Sequence, residues 1–92
     1  MQQDNEASIY SSLMGKLTHI ASKAIADYGF RQVVLWSTED VISRWKLSPQ
    51  ESNILVEIML KHLEQLPNPV EPKDIPTIEA QLTKLMSNAL ED

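Results

Sequence analysis

Residues 47–66 read LSPQESNILVEIMLKHLEQL and carry the strongest structural signal in the chain. Ser48 is suited to be a helix N-cap, Pro49 to be the first helical residue, and Glu51 to complete a capping box. The apolar residues that follow cover about 240° of a helix surface at 3.6 residues per turn. We therefore predict a helix over 49–66 that several neighbours must cover. It is either the central helix of the chain, or part of a dimer interface, or both.

Upstream of this stretch, two further helices are predicted. Apolar residues at steps of three and four indicate one amphipathic helix over about 6–28, with Gly29 as the left-handed residue that ends it. Its apolar face contains Ile9, Leu13, Leu17, Ile20 and Ala24. A short helix over 38–46 follows, because its first turn carries two acids where the helix dipole favours negative charge.

Between these helices, residues 30–36 read FRQVVLW and allow two interpretations. The β-branched and aromatic content favours a short strand at 31–36, whereas the lack of clean alternation favours the lead-in to a helix. The chain offers no second strand, so a strand here would have to pair with its copy in another subunit.

Downstream, four of the five prolines fall in the decapeptide PNPVEPKDIP, residues 67–76. Fixed proline φ angles predict an extended, stiff surface connector here, with a last helix over 77–90. Residues 1–92 are thus expected to form a single all-α domain of four helices. Its middle, 38–55, has the layout of a helix-turn-helix unit.

Composition narrows the function classes. The chain has no cysteine, which excludes disulfides and thiolate metal sites, and its formal net charge is −5. No segment is basic enough for a phosphate-binding face, which counts against nucleic acid as the main partner. No apolar run is long enough to span a membrane, and the N-terminal residues lack a signal-peptide pattern, so we expect a cytoplasmic protein.

No constellation of residues indicates catalysis. His19 and His62 lie in different helices, and neither has a helical metal-ligand partner four residues away. Two glycines outside any glycine-rich turn exclude a phosphate loop, and no carboxylate pair is placed for acid–base chemistry. We expect no enzyme activity, no metal and no cofactor.

Two function classes remain. The favoured one is a small acidic module that regulates, bridges or inhibits another protein, as a homodimer. Its candidate interface residues are Trp36, Trp45, Leu55, Met59, His62, Leu63 and Leu66. Whether the two tryptophans are core or contact residues stays open. The alternative is a DNA-binding regulator that uses 38–55, or a ribbon-helix-helix reader that uses the 31–36 strand.

Overall fold

A computed structural model describes the backbone of residues 2–91 and the side chains of residues 14–89. The all-α prediction is confirmed, with five helices in place of four, and residues 2–91 contain no strand. The helices are α1 (Gln2–Ala26), α2 (Tyr28–Trp36), α3 (Thr38–Trp45), α4 (49–64) and α5 (Ile75–Glu91). The predicted starts at 38 and 49 coincide with those of α3 and α4, and the other predicted ends of the four expected helices differ from the observed ones by one to four residues.

The core is one cluster to which all five helices contribute. In α1, the predicted apolar face is buried from Leu17 onward, while the side chains of Ile9 and Leu13 lie outside the described residues. Helix α1 packs against α2 and α5, and α4 packs against both of these partners. The most deeply buried members of the cluster are Leu17, Ile20, Ala24, Ile25, Val34, Leu55, Met59, Leu63, Leu82 and Met86.

The strand interpretation of residues 31–36 is wrong, because they form the body of α2. Asp27 is the N-cap of this helix, with extended backbone and a side-chain oxygen that accepts the Phe30 N–H at 3.2 Å. A helix satisfies its backbone hydrogen bonds internally, so the segment needs no partner strand from another subunit.

Gly29 does not end α1, which corrects a second expectation. The helix stops at Ala26, and Gly29 lies in the first turn of α2 with a negative φ. The reason is Asp27, whose N–H donates to the Lys23 carbonyl while its own carbonyl accepts the Arg31 N–H, both at 2.9 Å. Asp27 thus closes one helix and opens the next, and no left-handed residue is required.

Arg31 fixes the position of α2 in the fold. Its side chain is 2% exposed and donates to the carbonyl oxygens of Ala24 at 3.0 Å, Ile25 at 3.1 Å and Pro67 at 2.9 Å. The first two are carbonyls of the last turn of α1, which lack helical partners. Burial lowers the pKa of Arg31 from its ordinary value, and the nearby Tyr28 hydroxyl partly opposes this shift. The guanidinium stays protonated and joins α1, α2 and the chain after α4.

The connector at 67–76 is only partly extended. A 3-10 turn forms at Pro72–Asp74 and α5 already begins at Ile75, so the expectation of an extended run up to residue 76 is wrong. Proline is tolerated in the first turn of a helix because its missing N–H would have no partner there. The Asn68–Pro69 peptide bond is cis, and Val70 anchors the connector in the core.

The predicted start of α4 is confirmed in detail. Ser48 Oγ accepts the Glu51 N–H at 3.1 Å, and Glu51 Oε1 accepts the Ser48 N–H at 2.7 Å. The helix begins as Pro49–Ile54, widens into a π-helical turn at Leu55–Met59, and ends as Leu60–Glu64. Its wide apolar arc is largely covered by the chain's own helices, chiefly α2 and α5.

Candidate functional site

Trp36 is the most exposed large apolar side chain in residues 14–89. Its exposed fraction is 81%, whereas the other exposed large apolar side chains lie between 42% and 46%. The indole Nε1–H donates to Gln32 Oε1 at 2.8 Å, one turn earlier in α2. This hydrogen bond links the ring to the preceding turn of its own helix.

The period of α2 explains why Trp36 points outward. Val34 and Arg31, three residues apart, face the core and fix the inner side of the helix. Val33 and Trp36, also three residues apart, therefore share the outer side, where Val33 is 46% exposed. The core contacts of Arg31 and Val34 thus determine where Trp36 lies, although the indole itself is mostly exposed.

Two hollows flank the indole. The first has a volume of about 150 Å³, lies between α2 and α4, and is lined by Leu35, Trp36, Leu60 and Glu64. The second has a volume of about 470 Å³, lies at the start of α3, and is lined by Trp36, Ser37, Thr38, Glu39 and Asp40. We call Trp36 and the lining of these two hollows the Trp36 surface.

The Trp36 surface carries negative charge without internal compensation. Its three carboxylates belong to Glu39, Asp40 and Glu64, all on exposed residues. Within the part of the chain whose side chains are described, the ion pairs are Lys61–Glu57 and Lys73–Glu71, and neither involves these carboxylates. The surface therefore combines an exposed aromatic ring with unpaired acids.

The second tryptophan plays a different part. Trp45, in the last turn of α3, is half-buried, and its ring meets the edge of His19 at a centroid distance of 5.2 Å and an interplanar angle of 61°. Aromatic pairs prefer such an edge-to-face arrangement. Trp45 thus packs α3 onto α1, away from the Trp36 surface.

The candidate interface residues of α4 lie mostly inside the chain. Leu55, Met59 and Leu63 are at most 1% exposed and cannot touch a partner without opening the fold. Leu66, just after α4, is half-buried against the core. His62 is half-buried, and its buried Nε2 has no hydrogen-bond partner among the described residues. The structure brings none of these five to the Trp36 surface.

Sequence reasoning missed the other members of the Trp36 surface, namely Leu35, Leu60 and Glu64. Leu35 stands beside Trp36 in the chain, but its nearness to α4 depends on how Arg31 docks α2. Glu39 and Asp40 were noticed only as acids that favour the start of α3. Their place beside an exposed indole follows from the single-residue break at Ser37 between α2 and α3.

Two open grooves lie elsewhere. One runs along α1, has a volume of about 690 Å³ and is lined in part by His19. The other lies between α1 and α5, has a volume of about 610 Å³ and mixes small polar and apolar side chains with Glu79 and Lys84. Ser22 Oγ donates to Glu79 Oε2 across this second groove at 2.5 Å, and neither histidine lines it. In residues 14–89, no three histidine or acidic side chains are grouped so that they could hold a metal ion.

The helix-turn-helix-like unit, residues 38–55, exposes amide side chains next to an acidic one. Lys46 is left-handed at φ 54°, and its carbonyl accepts the Lys16 ammonium at 3.1 Å. At the start of α4, Gln50 and Asn53 are exposed beside Glu57, while Glu51 is buried in its capping box. A DNA-recognition helix normally presents basic or amide side chains at this position. Here the Glu57 carboxylate lies beside the amides and would repel phosphates.

No described helix is long and apolar enough to cross a membrane. No protein-family model, curated protein or solved structure matches this chain.

Proposed function

We propose that the chain is a protein-interaction module that regulates, bridges or inhibits another protein, with the Trp36 surface as its docking site. The observation that carries this proposal is the 81% exposure of an indole that is hydrogen-bonded to its own helix. An exposed tryptophan costs solvation free energy in the unbound state, and tryptophan is the residue type most enriched among the hot spots of protein interfaces.

The surroundings of Trp36 support the same proposal. Three of the four residues that line the hollow between α2 and α4 are apolar, and acidic residues lie around it. An apolar centre with a polar rim is the usual anatomy of a protein interface. Its volume of about 150 Å³ has room for one protruding side chain of a partner.

No specific observation favours the DNA-binding alternative. Of the eight lysine and arginine residues, Arg31 is buried and Lys61 and Lys73 are paired with acids. The Lys16 ammonium donates a hydrogen bond to the Lys46 carbonyl. A phosphate backbone requires several free cations on one face.

The test is a selection of helical peptides from a random library on the wild-type chain. Each selected peptide is then measured on Trp36→Ala and on Leu85→Ala, a control in which an exposed apolar residue of α5 outside the Trp36 surface is truncated. We expect affinity to fall about tenfold or more with Trp36→Ala only. Selected peptides that bind equally to both variants would contradict the proposal.

A further inference from the structure

We infer that the partner of the Trp36 surface is an amphipathic helix whose apolar stripe is flanked by lysine or arginine. This inference rests on the proposed function and specifies the chemistry of the partner. It follows from three features of the surface, namely the shape of its apolar part, the sign of its charge, and the like-charge repulsion that a second copy would meet there.

Two exposed valines extend the Trp36 surface along α2 and α4. On α2, Val33 precedes Trp36 by three residues and shares its outer side. On α4, Val56 precedes Leu60 by four residues through the π-helical turn, which also keeps residues four apart on one side of the helix, so each pair forms a short ridge. Val33 and Val56 are 46% and 44% exposed. The hollow between α2 and α4 joins the ridges at Trp36 and Leu60. A partner helix fits this shape if its apolar stripe packs along the two ridges and one of its aliphatic side chains enters the hollow.

The charge of the surface selects a cationic flank on the partner. Glu39 and Asp40 line one of the two hollows that Trp36 borders, and Glu64 lines the other. None of the three pairs with a cation among residues 14–89, and Arg44, one turn after Asp40 in α3, makes no ion pair with it. Lysine or arginine beside the apolar stripe would face these acids, and the exposed indole face adds cation–π attraction, strongest for arginine.

The same charges count against a second copy as the occupant. In a twofold dimer each surface patch meets its own copy. Glu39, Asp40 and Glu64 would then face the same three acids across the interface, which is unfavourable. A partner of opposite charge avoids this repulsion.

The experiment uses three helical peptides with one leucine stripe and with lysine, glutamine or glutamate on the polar face. Their affinities are measured by titration calorimetry on the full chain and on four variants. The variants are Trp36→Ala, Leu85→Ala, and two double neutralisations that reach the same net charge, Glu39→Gln with Asp40→Asn and Glu71→Gln with Asp74→Asn. The second double variant is the matched control, because its residues lie in the connector, outside the Trp36 surface.

We expect the lysine peptide to bind the wild type about tenfold more tightly than the glutamine peptide at low salt, and the glutamate peptide to bind most weakly. Trp36→Ala should weaken the lysine and glutamine peptides about tenfold, and Leu85→Ala should change neither. Neutralising Glu39 and Asp40 should weaken only the lysine peptide, by about fivefold, whereas the connector neutralisation should leave it unchanged.

The outcomes separate this inference from the proposed function. If all peptides bind equally and still depend on Trp36, the docking site stands and the cationic partner is contradicted. If both double neutralisations weaken the lysine peptide equally, only net charge attracts it and the inference is again contradicted. If no binding depends on Trp36, both fail. Melting curves by circular dichroism check that each variant is folded. Trp36→Ala should fold like the wild type because the Trp36 side chain is 81% exposed.

Discussion

Arg31 shows how one residue can determine the placement of a functional surface. In the sequence it lies within FRQVVLW, where a strand interpretation gave it no defined role. In the structure its guanidinium donates to three backbone carbonyls from two parts of the chain. The local signal that could have revealed this is Asp27, an N-cap residue that starts a helix in which Arg31 and Val34 share the inner side.

The first prediction concerns this guanidinium. Arg31→Met should lower the free energy of unfolding by about 2–4 kcal/mol, because it leaves buried carbonyl oxygens without donors. The measurement is urea denaturation followed by circular dichroism. Arg44→Met is the matched control, since Arg44 is exposed on α3, and it should change stability by about 0.5 kcal/mol or less. Equal losses in the two variants would contradict the role of Arg31.

At the same scale, the two tryptophans show what residue type alone leaves open. Both are large apolar residues next to a helix end, so residue type alone does not distinguish their environments. The difference in their exposure follows from helix phase. Val34 faces the core and leaves Trp36 on the outer side of α2. In α3, Val41 faces the core and Trp45 packs against His19. Phase depends on where each helix begins, so an uncertain start made the exposure of Trp36 unpredictable.

At the scale of elements, α4 was the most predictable part of the chain. Its start is encoded locally by Ser48, Pro49 and Glu51, and its broad apolar arc correctly indicated a helix with several neighbours. Which neighbours cover the arc depends on contacts distant in sequence, and the structure supplies them from the same chain. The π-helical turn at Leu55–Met59 has no local signature that we recognise.

The second prediction tests the burial of this arc. Leu63→Asp should unfold the chain at room temperature, because it places a carboxylate at a site that is 1% exposed. Val56→Asp makes a comparable change on the same helix at a residue that is 44% exposed, and the chain should remain folded. Thermal denaturation followed by circular dichroism distinguishes the two. A cooperative, unshifted melting curve for Leu63→Asp would show that this face of α4 is not in the core.

At the scale of the whole molecule, association stays a prediction. The apolar arc of α4 predicts a homodimer from the sequence, and the structure covers most of that arc within one chain. The exposed Val33, Trp36 and Val56 lie on or beside the Trp36 surface, whose acids would repel a second copy. An association between copies should therefore use a different surface from the one that binds the partner.

The third prediction follows from this separation. Trp36→Ala should leave the mass of the chain in sedimentation equilibrium unchanged at about tens of micromolar, a range in which weak dimers are populated. Whether the wild type is a monomer or a dimer, the variant should match it. Conversion of a wild-type dimer to a monomer by Trp36→Ala would show that the indole is a subunit contact.

The most direct measurement is the fluorescence quenching of Trp36 alone, in a Trp45→Phe variant that keeps an aromatic ring beside His19. The account predicts water-like emission, and a ratio of caesium quenching to iodide quenching that is higher than for free N-acetyltryptophanamide, because Glu39, Asp40 and Glu64 attract cations and repel anions. Neutralising Glu39 and Asp40 should remove much of that preference. An indole that neither ion quenches, or whose ratio of caesium to iodide quenching equals that of N-acetyltryptophanamide, would contradict a free, acid-flanked Trp36 surface.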